Sequence, residues 1–296
     1  MVIATGFFDG VHLGHRFILR QLVEEARRRN DESMVVTFWP HPRNVLQDDA
    51  RNLRLLTSME EKKALIRNIG VDHIEVIPFT KEFCRLSAEE YLRDYIVGKF
   101  GGKAILVGYD NRIGSDQCTP EQTSEIARRL GLDVIRPERF VSDNGIVISS
   151  TKIRNSLLAG DIEDADSMLG YQYQLYGVVV SGNRLGHTIG FPTANMQLYE
   201  PLKLIPGNGV YLVKVETLGG VYDGMCNIGV RPTLGSGNAL TVETNIFDFN
   251  EDIYGLDIRI SFVSKIRNEV KFNDFSVLAS QLEKDREHCR ILLREK

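Results

Sequence analysis

Cysteine is scarce and scattered: the 296 residues hold four, Cys84, Cys118, Cys226 and Cys289, none at metal-ligand spacing from another. That excludes a disulfide framework and a thiolate zinc site, and it fits a reducing, cytoplasmic setting. The six histidines form no zinc pattern either; His12 and His15 lack a third ligand at a recognisable distance along the chain. No apolar run approaches the ~20 residues that span a bilayer. The start, Met1-Val2-Ile3, carries neither the basic segment nor the cleavage site of a signal peptide, so no membrane partner is expected. An excess of positive charge is also missing. Net charge is −4 and the pI about 5.9. Nucleic acid is therefore not an expected partner, and anionic ligands must be held by local basic groups. Internal repeats and low-complexity segments are absent.

What is present is the composition of a globular protein, 43% hydrophobic and 26% charged, long enough for two domains. To about residue 170, strand-like and helix-like segments alternate. Val2–Thr5, Met34–Phe38, His73–Ile77, Ala104–Val107 and Ile146–Ile148 are apolar and β-prone. Between them run amphipathic stretches, Arg16–Arg29, Ser58–Ile69, Ala88–Phe100 and Pro120–Leu130, and two short helices, Thr151–Ala159 and Asp161–Leu169, follow. This alternation predicts a parallel sheet covered by helices on both faces, in a domain spanning 1–169. From residue 170 to 296 short β-rich runs dominate: Leu175–Val180, Gly209–Glu216, Gly224–Ile228, Leu240–Phe247 and Asp257–Phe262. They predict a small closed barrel. Asn273-Asp274 would cap a final helix with Phe275, Leu278, Leu282, Cys289 and Leu292 on one face.

The chemistry concentrates at strand ends. Gly6-Phe7-Phe8-Asp9-Gly10-Val11-His12-Leu13-Gly14-His15 joins the first strand to a helix. There, backbone N–H groups and the helix dipole both favour an anion, and the histidines can donate to phosphate oxygens. The turn is neither a P-loop nor a dinucleotide fingerprint. Ser149-Ser150-Thr151-Lys152-Ile153-Arg154 puts hydroxyls and two cations at a second helix start, where a phosphate would offset the charge; alone it reads equally as a plain cap. Pro40-His41-Pro42-Arg43 forms a rigid loop after the second strand, and Gly108-Tyr109-Asp110-Asn111 follows another strand. These four segments, in this order, resemble the N-terminal half of the bifunctional bacterial riboflavin kinase/FMN adenylyltransferase family, the prokaryotic FAD synthetases.

In the second half, Gly182-Asn183-Arg184-Leu185-Gly186-His187-Thr188-Ile189-Gly190-Phe191-Pro192-Thr193-Ala194-Asn195 can fold over phosphates with little steric hindrance. The Thr193 hydroxyl and Asn195 carbonyl are hard oxygens suited to Mg²⁺. Glu243 sits in a β-prone run beside Val242 and Ile246, where partial burial favours proton uptake and hence a general base; an outward-facing strand residue is the plain alternative. This half resembles the riboflavin kinase domain of the same family, the Gly-Phe-Pro-Thr-Ala-Asn box above all, with Arg231-Pro232-Thr233 and Arg267-Asn268-Glu269-Val270-Lys271-Phe272 in the expected order.

The resemblance implies an α/β Rossmann-like nucleotidyltransferase domain followed by an all-β closed barrel of riboflavin kinase type with a C-terminal helix. It implies riboflavin, FMN and ATP as substrates, with Mg²⁺ and FAD as cofactor and product. By the same resemblance His12, His15, Arg154 and Glu243 are catalytic. Gly6, Phe8, Asp9, Gly10, Gly14, Ser150 and Thr151 bind nucleotide in the first domain, as do Gly182, Gly186, Gly190 and Pro192 in the second. His41, Arg43, Asp110 and Arg267 contact flavin, and Thr193 and Asn195 hold the metal. The chain departs from the family at His187, often Arg, and in Ser115–Pro120, which lacks the usual aromatic and basic residues. That departure leaves two other readings beside the main one: a riboflavin kinase with a degenerate first domain, and a non-catalytic flavin-binding regulator.

Overall fold

Val2–Thr5, all buried, form β1, the centre of a five-stranded parallel sheet. Its partners are β2 (Ser33–Trp39), β3 (His73–Pro78), β4 (Ala104–Leu106) and β5 (Asp133–Ile135), in the order β3-β2-β1-β4-β5. Side chains alternate between faces. Ile3, Val36 and Ile105 pack on one side with Leu92 and Ile96, while Val2, Val35 and Leu106 pack on the other with Leu19 and Leu22. The covering helices are α1 (Leu13–Arg28), α2 (Met59–Arg67), α3 (Ala88–Tyr91, continued as a π-helix over Leu92–Lys99) and α4 (Pro120–Arg129). Ser58, Ser87 and Thr119 start α2, α3 and α4 with reciprocal capping boxes. Strand order reverses between β1 and β4, so a crevice opens at the carboxyl ends of these two strands.

The computed structural model describes residues 1–41, 53–109, 111–141, 145, 147–182, 185–232, 238–272 and 274–295. By Cα proximity the chain divides into two compact units, Met1–Ser150 and Thr151–Lys296. The strand expected at Ile146–Ile148 does not form: residues 147 and 148 have no strand pairing, Ile146 lies outside the described residues, and Val147 is exposed. Asp133–Ile135 takes the edge instead, paired with β4. Three residues beginning with Asp are too few to show an alternation.

In the second unit α5 (Ser150–Ala159, its first residue in the other unit) and α6 (Ile162–Leu169) flank Gly160, whose φ of +82° allows the sharp break. The Asp161 carboxylate then caps α6, accepting from the Asp164 N–H at 3.2 Å. The Leu157 carbonyl accepts from the Gly207 N–H and the Ala159 carbonyl from Lys265 Nζ, tying this helical pair to the barrel. The barrel runs β10-β7-β6-β11-β8-β9. Its strands are β6 (Gln174–Val180), β7 (Ala194–Leu198), β8 (Gly209–Thr217), β9 (Gly220–Pro232), β10 (Asn238–Ile246) and β11 (Asp257–Arg267). A single helical turn, α7 (Leu185–Thr188), precedes β7, and α8 (Phe275–Glu295) ends the chain. Cys289, Leu282 and Leu292 of α8 pack on Val210, Leu212 and Phe191 as the spacing predicts. Phe275, 60% exposed, borders with Leu278 and Leu282 the cavity between this helix and the barrel. The Asp274 carboxylate accepts from the Ser276 N–H at 2.6 Å, while Asn273 lies outside the described residues.

Candidate active sites

The turn after β1 is built around a buried carboxylate. Phe8 (φ 50°), Gly10 (φ 78°) and Val11 (φ 36°) turn the backbone through the left-handed region. Asp9, 3% exposed, holds this shape by accepting from the N–H groups of Leu56 at 3.1 Å and Thr57 at 3.2 Å. The Gly10 N–H donates to Thr57 Oγ1, and Ser150 Oγ donates to the Asp9 carbonyl. Asp9, expected as a nucleotide contact, thus braces the turn. The remaining N–H groups of the turn run into α1, whose N-cap is His12: its Nδ1 accepts from the His15 N–H at 3.3 Å. The two imidazoles stack at 3.6 Å, and the Phe8 ring stands edge-on to His15. A side chain at Gly14 would come within 3.3 Å of the His12 ring, and one at Gly6 within 2.9 Å of Phe8. Burial first, then the neighbouring His12 and Lys62, hold the His15 imidazole well below its ordinary value, so it is neutral at pH 7. Its Nδ1 has no hydrogen-bond partner among the described residues.

Beside this turn lies a cavity of about 430 Å³ walled by Phe7, Phe38, Phe79, Phe83 and Tyr91, with Thr5 and Asn111 at its polar edge. The Thr5 and Tyr91 hydroxyls share a hydrogen bond of 2.7 Å, and Asn111 Nδ2 donates to the Thr5 carbonyl. Such a slot admits a flat aromatic ring. These rings come from the turn after β1, from β2 and from the segment after β3, not from the loop after Gly108 where the resemblance places them; the spacing Phe79, Phe83, Tyr91 was the available signal. His41 packs its ring 3.8 Å from Phe7. Arg43 and Asp110 lie outside the described residues. Thr151, exposed, and Arg154, half-buried, belong to α5 in the second unit.

In that unit a cavity of about 360 Å³ lies between the barrel and α8, and it gathers Thr193, Asn195, Glu243, Arg267 and Gly186 on its walls. Strand register explains the gathering: Glu243 on β10 faces Asn195 on β7 and Asn227 on β9. A second cavity, about 400 Å³, is lined by Pro192, Ala194, Thr244, Ile246 and residues 249–254. Thr193 borders both, where the alternating residues of β7 and β10 face opposite ways. The glycines permit close backbone approach. A Cβ at Gly182 would meet Asn195 Nδ2 at 2.3 Å, and one at Gly186 the Phe191 carbonyl at 2.2 Å. Gly190 has φ +79°. Asn245 Nδ2 donates to the Pro192 carbonyl at 2.7 Å, fixing the start of β7. The side chain of His187, and all of Asn183, Arg184 and Thr233, lie outside the described residues.

Arg267 lines the cavity, but its guanidinium is held from behind. Nε and Nη2 donate to the Asp285 carboxylate at 3.0 and 2.7 Å, and Gln281 Nε2 donates to the same carboxylate. Asp285, 2% exposed, was not singled out from the sequence; an acidic residue in a charged helix reads as solvent-facing. Asp285→Ala would strand a partly buried guanidinium, so it should cost about 3–5 kcal/mol of stability in denaturant unfolding.

The FAD synthetase family profile matches residues 1–152 and the riboflavin kinase profile residues 169–293. The bifunctional riboflavin kinase/FMN adenylyltransferase of Listeria monocytogenes is 36% identical over 293 residues, 98% of this chain and 91% of that protein. The Bacillus subtilis enzyme of the same description is also 36% identical, over 97% of this chain and 91% of its own. A crystal structure described as a macrolide-efflux protein from Streptococcus pneumoniae superposes with a TM-score of 0.88 at 33% identity, covering 98% of this chain and 93% of that one. Among the described residues of the present chain no helix is long and apolar enough to cross a membrane.

Proposed function

The chain belongs to the bifunctional riboflavin kinase/FMN adenylyltransferase family, and from that premise we propose which residues carry its two ATP-dependent steps, riboflavin to FMN and FMN to FAD. The observation that carries the kinase assignment is the meeting of Thr193, Asn195 and Glu243 on one cavity wall. Riboflavin occupies this cavity, whose apolar side is formed by Ile189, Phe191, Leu278 and Leu282. The nucleotide enters from the adjoining cavity, reaching across Thr193 under the loop of Gly182, Gly186 and Gly190. Glu243 takes the proton from the terminal ribityl hydroxyl as that oxygen attacks the γ-phosphorus. The bond from that phosphorus to the bridging oxygen breaks so that ADP departs with its electron pair. Thr193 Oγ1 and Asn195 Oδ1 would hold Mg²⁺; two hard oxygens beside a carboxylate, with no thiolate or imidazole, suit an ion that shares its shell with phosphates. When bound, the ion neutralises phosphate charge. Arg267, held by Asp285, presents its remaining edge to the same cavity.

In the first unit the flavin ring of FMN seats in the aromatic cavity and ATP phosphates lie on the turn at His12 and His15. A phosphate oxygen of FMN attacks the α-phosphorus of ATP, and the bond to the bridging oxygen breaks so that pyrophosphate departs with its electron pair. His12 and His15 donate to the developing negative charge, with Ser150 at the nucleotide and His41, Arg43 and Asp110 at the flavin. The free state of all four cysteines supports a cytoplasmic location. Incubation with riboflavin, ATP and Mg²⁺, followed by chromatography, should show FMN rising and then converting to FAD. Accumulation of FMN alone would leave a kinase with an idle first unit, and no flavin turnover would end the assignment.

A further inference from the structure

Lys62 is a buried lysine of the first unit that has no salt bridge among the described residues. It lies on α2, only 1% exposed, with Nζ 3.8 Å from the centroid of the Phe7 ring. Among the described residues its ammonium makes no hydrogen bond and no ion pair. The carboxylate that faces it, Asp9, is turned to the N–H groups of Leu56 and Thr57. The next residue along, Lys63, shows the ordinary alternative, pairing with Glu60 at the surface. A charge buried against a ring, with no salt bridge, is costly, and a Met or Leu would fill the same space at no such cost. The neighbours indicate what compensates it. Phe7 walls the aromatic cavity, and His15, which feels the Lys62 charge, opens α1. Lys62 therefore stands where the flavin side of the site meets its nucleotide side.

Resting on the adenylyl-transfer reading above, we propose that Lys62 binds the phosphate of FMN, the attacking group of that reaction. The step joins two anions: an FMN phosphate oxygen bonds to the α-phosphorus of ATP while pyrophosphate leaves. A fixed cation on the nucleophile's side lets the two approach without protonating the oxygen that must attack. Burial lowers the Lys62 ammonium to about 8, with Asp9 opposing that shift, so the group is still mostly charged at pH 7 and ready for a dianion.

The test uses the full chain with Lys62→Met and Lys62→Arg, measuring FAD formation from FMN and ATP. Lys62→Met should raise the KM for FMN about 10- to 100-fold, the loss of one charge-assisted contact, with the KM for ATP little changed. Lys62→Arg should restore much of the FMN affinity. The Met variant should also melt no lower than the wild type and phosphorylate riboflavin at the wild-type rate. An unchanged KM for FMN, a rise in the KM for ATP in its place, or a lower melting temperature with parallel loss of both activities would each overturn the assignment. If the wild-type chain makes no FAD from FMN and ATP, the adenylyl-transfer reading itself falls, which is a separate result.

Discussion

Glu243→Gln should lower FMN formation from riboflavin by about 10²–10⁴-fold, the range that a general base contributes, while FAD formation from supplied FMN continues at the wild-type rate. The amide has the shape of the carboxylate and keeps its place opposite Asn195 and Asn227, so the barrel should fold and the cavity should keep its form. What it lacks is a basic oxygen. The KM for riboflavin should change far less than kcat, because the proposed seat of the ring is the apolar side of the cavity and not Glu243. Parallel assays of FMN from riboflavin and FAD from FMN decide the matter. Equal loss of both activities would mean that one site serves both steps, contrary to the division of residues between the two units.

His15→Ala should do the reverse, cutting FAD formation about 10²–10³-fold, the cost of a lost donor to developing charge, with riboflavin phosphorylation untouched. It should also change how stability responds to acid. In the folded chain burial, His12 and Lys62 keep His15 neutral, whereas unfolded it has the ordinary value of 6.5. Below that value the unfolded chain binds the extra proton and the folded one does not, so stability is fully present above it and declines as pH falls below it. The Ala variant should lose this part of the slope. Denaturant unfolding of both proteins at pH 7 and pH 5 measures it.

Much of the architecture was readable because it rests on local pattern. The strands around β1 are apolar runs, α2, α3 and α4 begin with Ser or Thr followed three residues on by Glu or Gln, and the glycines of residues 182–190 announce a loop. What was not readable depends on distant neighbours. β5 is three residues long and is a strand only because β4 offers an edge. β7 begins inside the Pro192–Asn195 box, where turn residues mask it. The aromatic cavity assembles Phe38 from one strand end with Phe79, Phe83 and Tyr91 from beyond the next, and no sequence window contains them all. Lys62, in the run Glu60-Glu61-Lys62-Lys63, has the pattern of a solvated helix face; its burial follows from how α2 lies against the Gly10 turn.

The cap on α1 settles the tautomer of His12. Because Nδ1 accepts the His15 N–H, its lone pair is committed, and the ring proton of the neutral imidazole must sit on Nε2. A proton added at Nδ1 would take that acceptor away and leave the first turn of the helix with one more unmatched N–H. On the proposed reading, His12 therefore turns its Nε2 side, and not Nδ1, to phosphate. The His15 ring stacked on it at 3.6 Å stays neutral, because it is buried and because two imidazolium ions at that distance would repel.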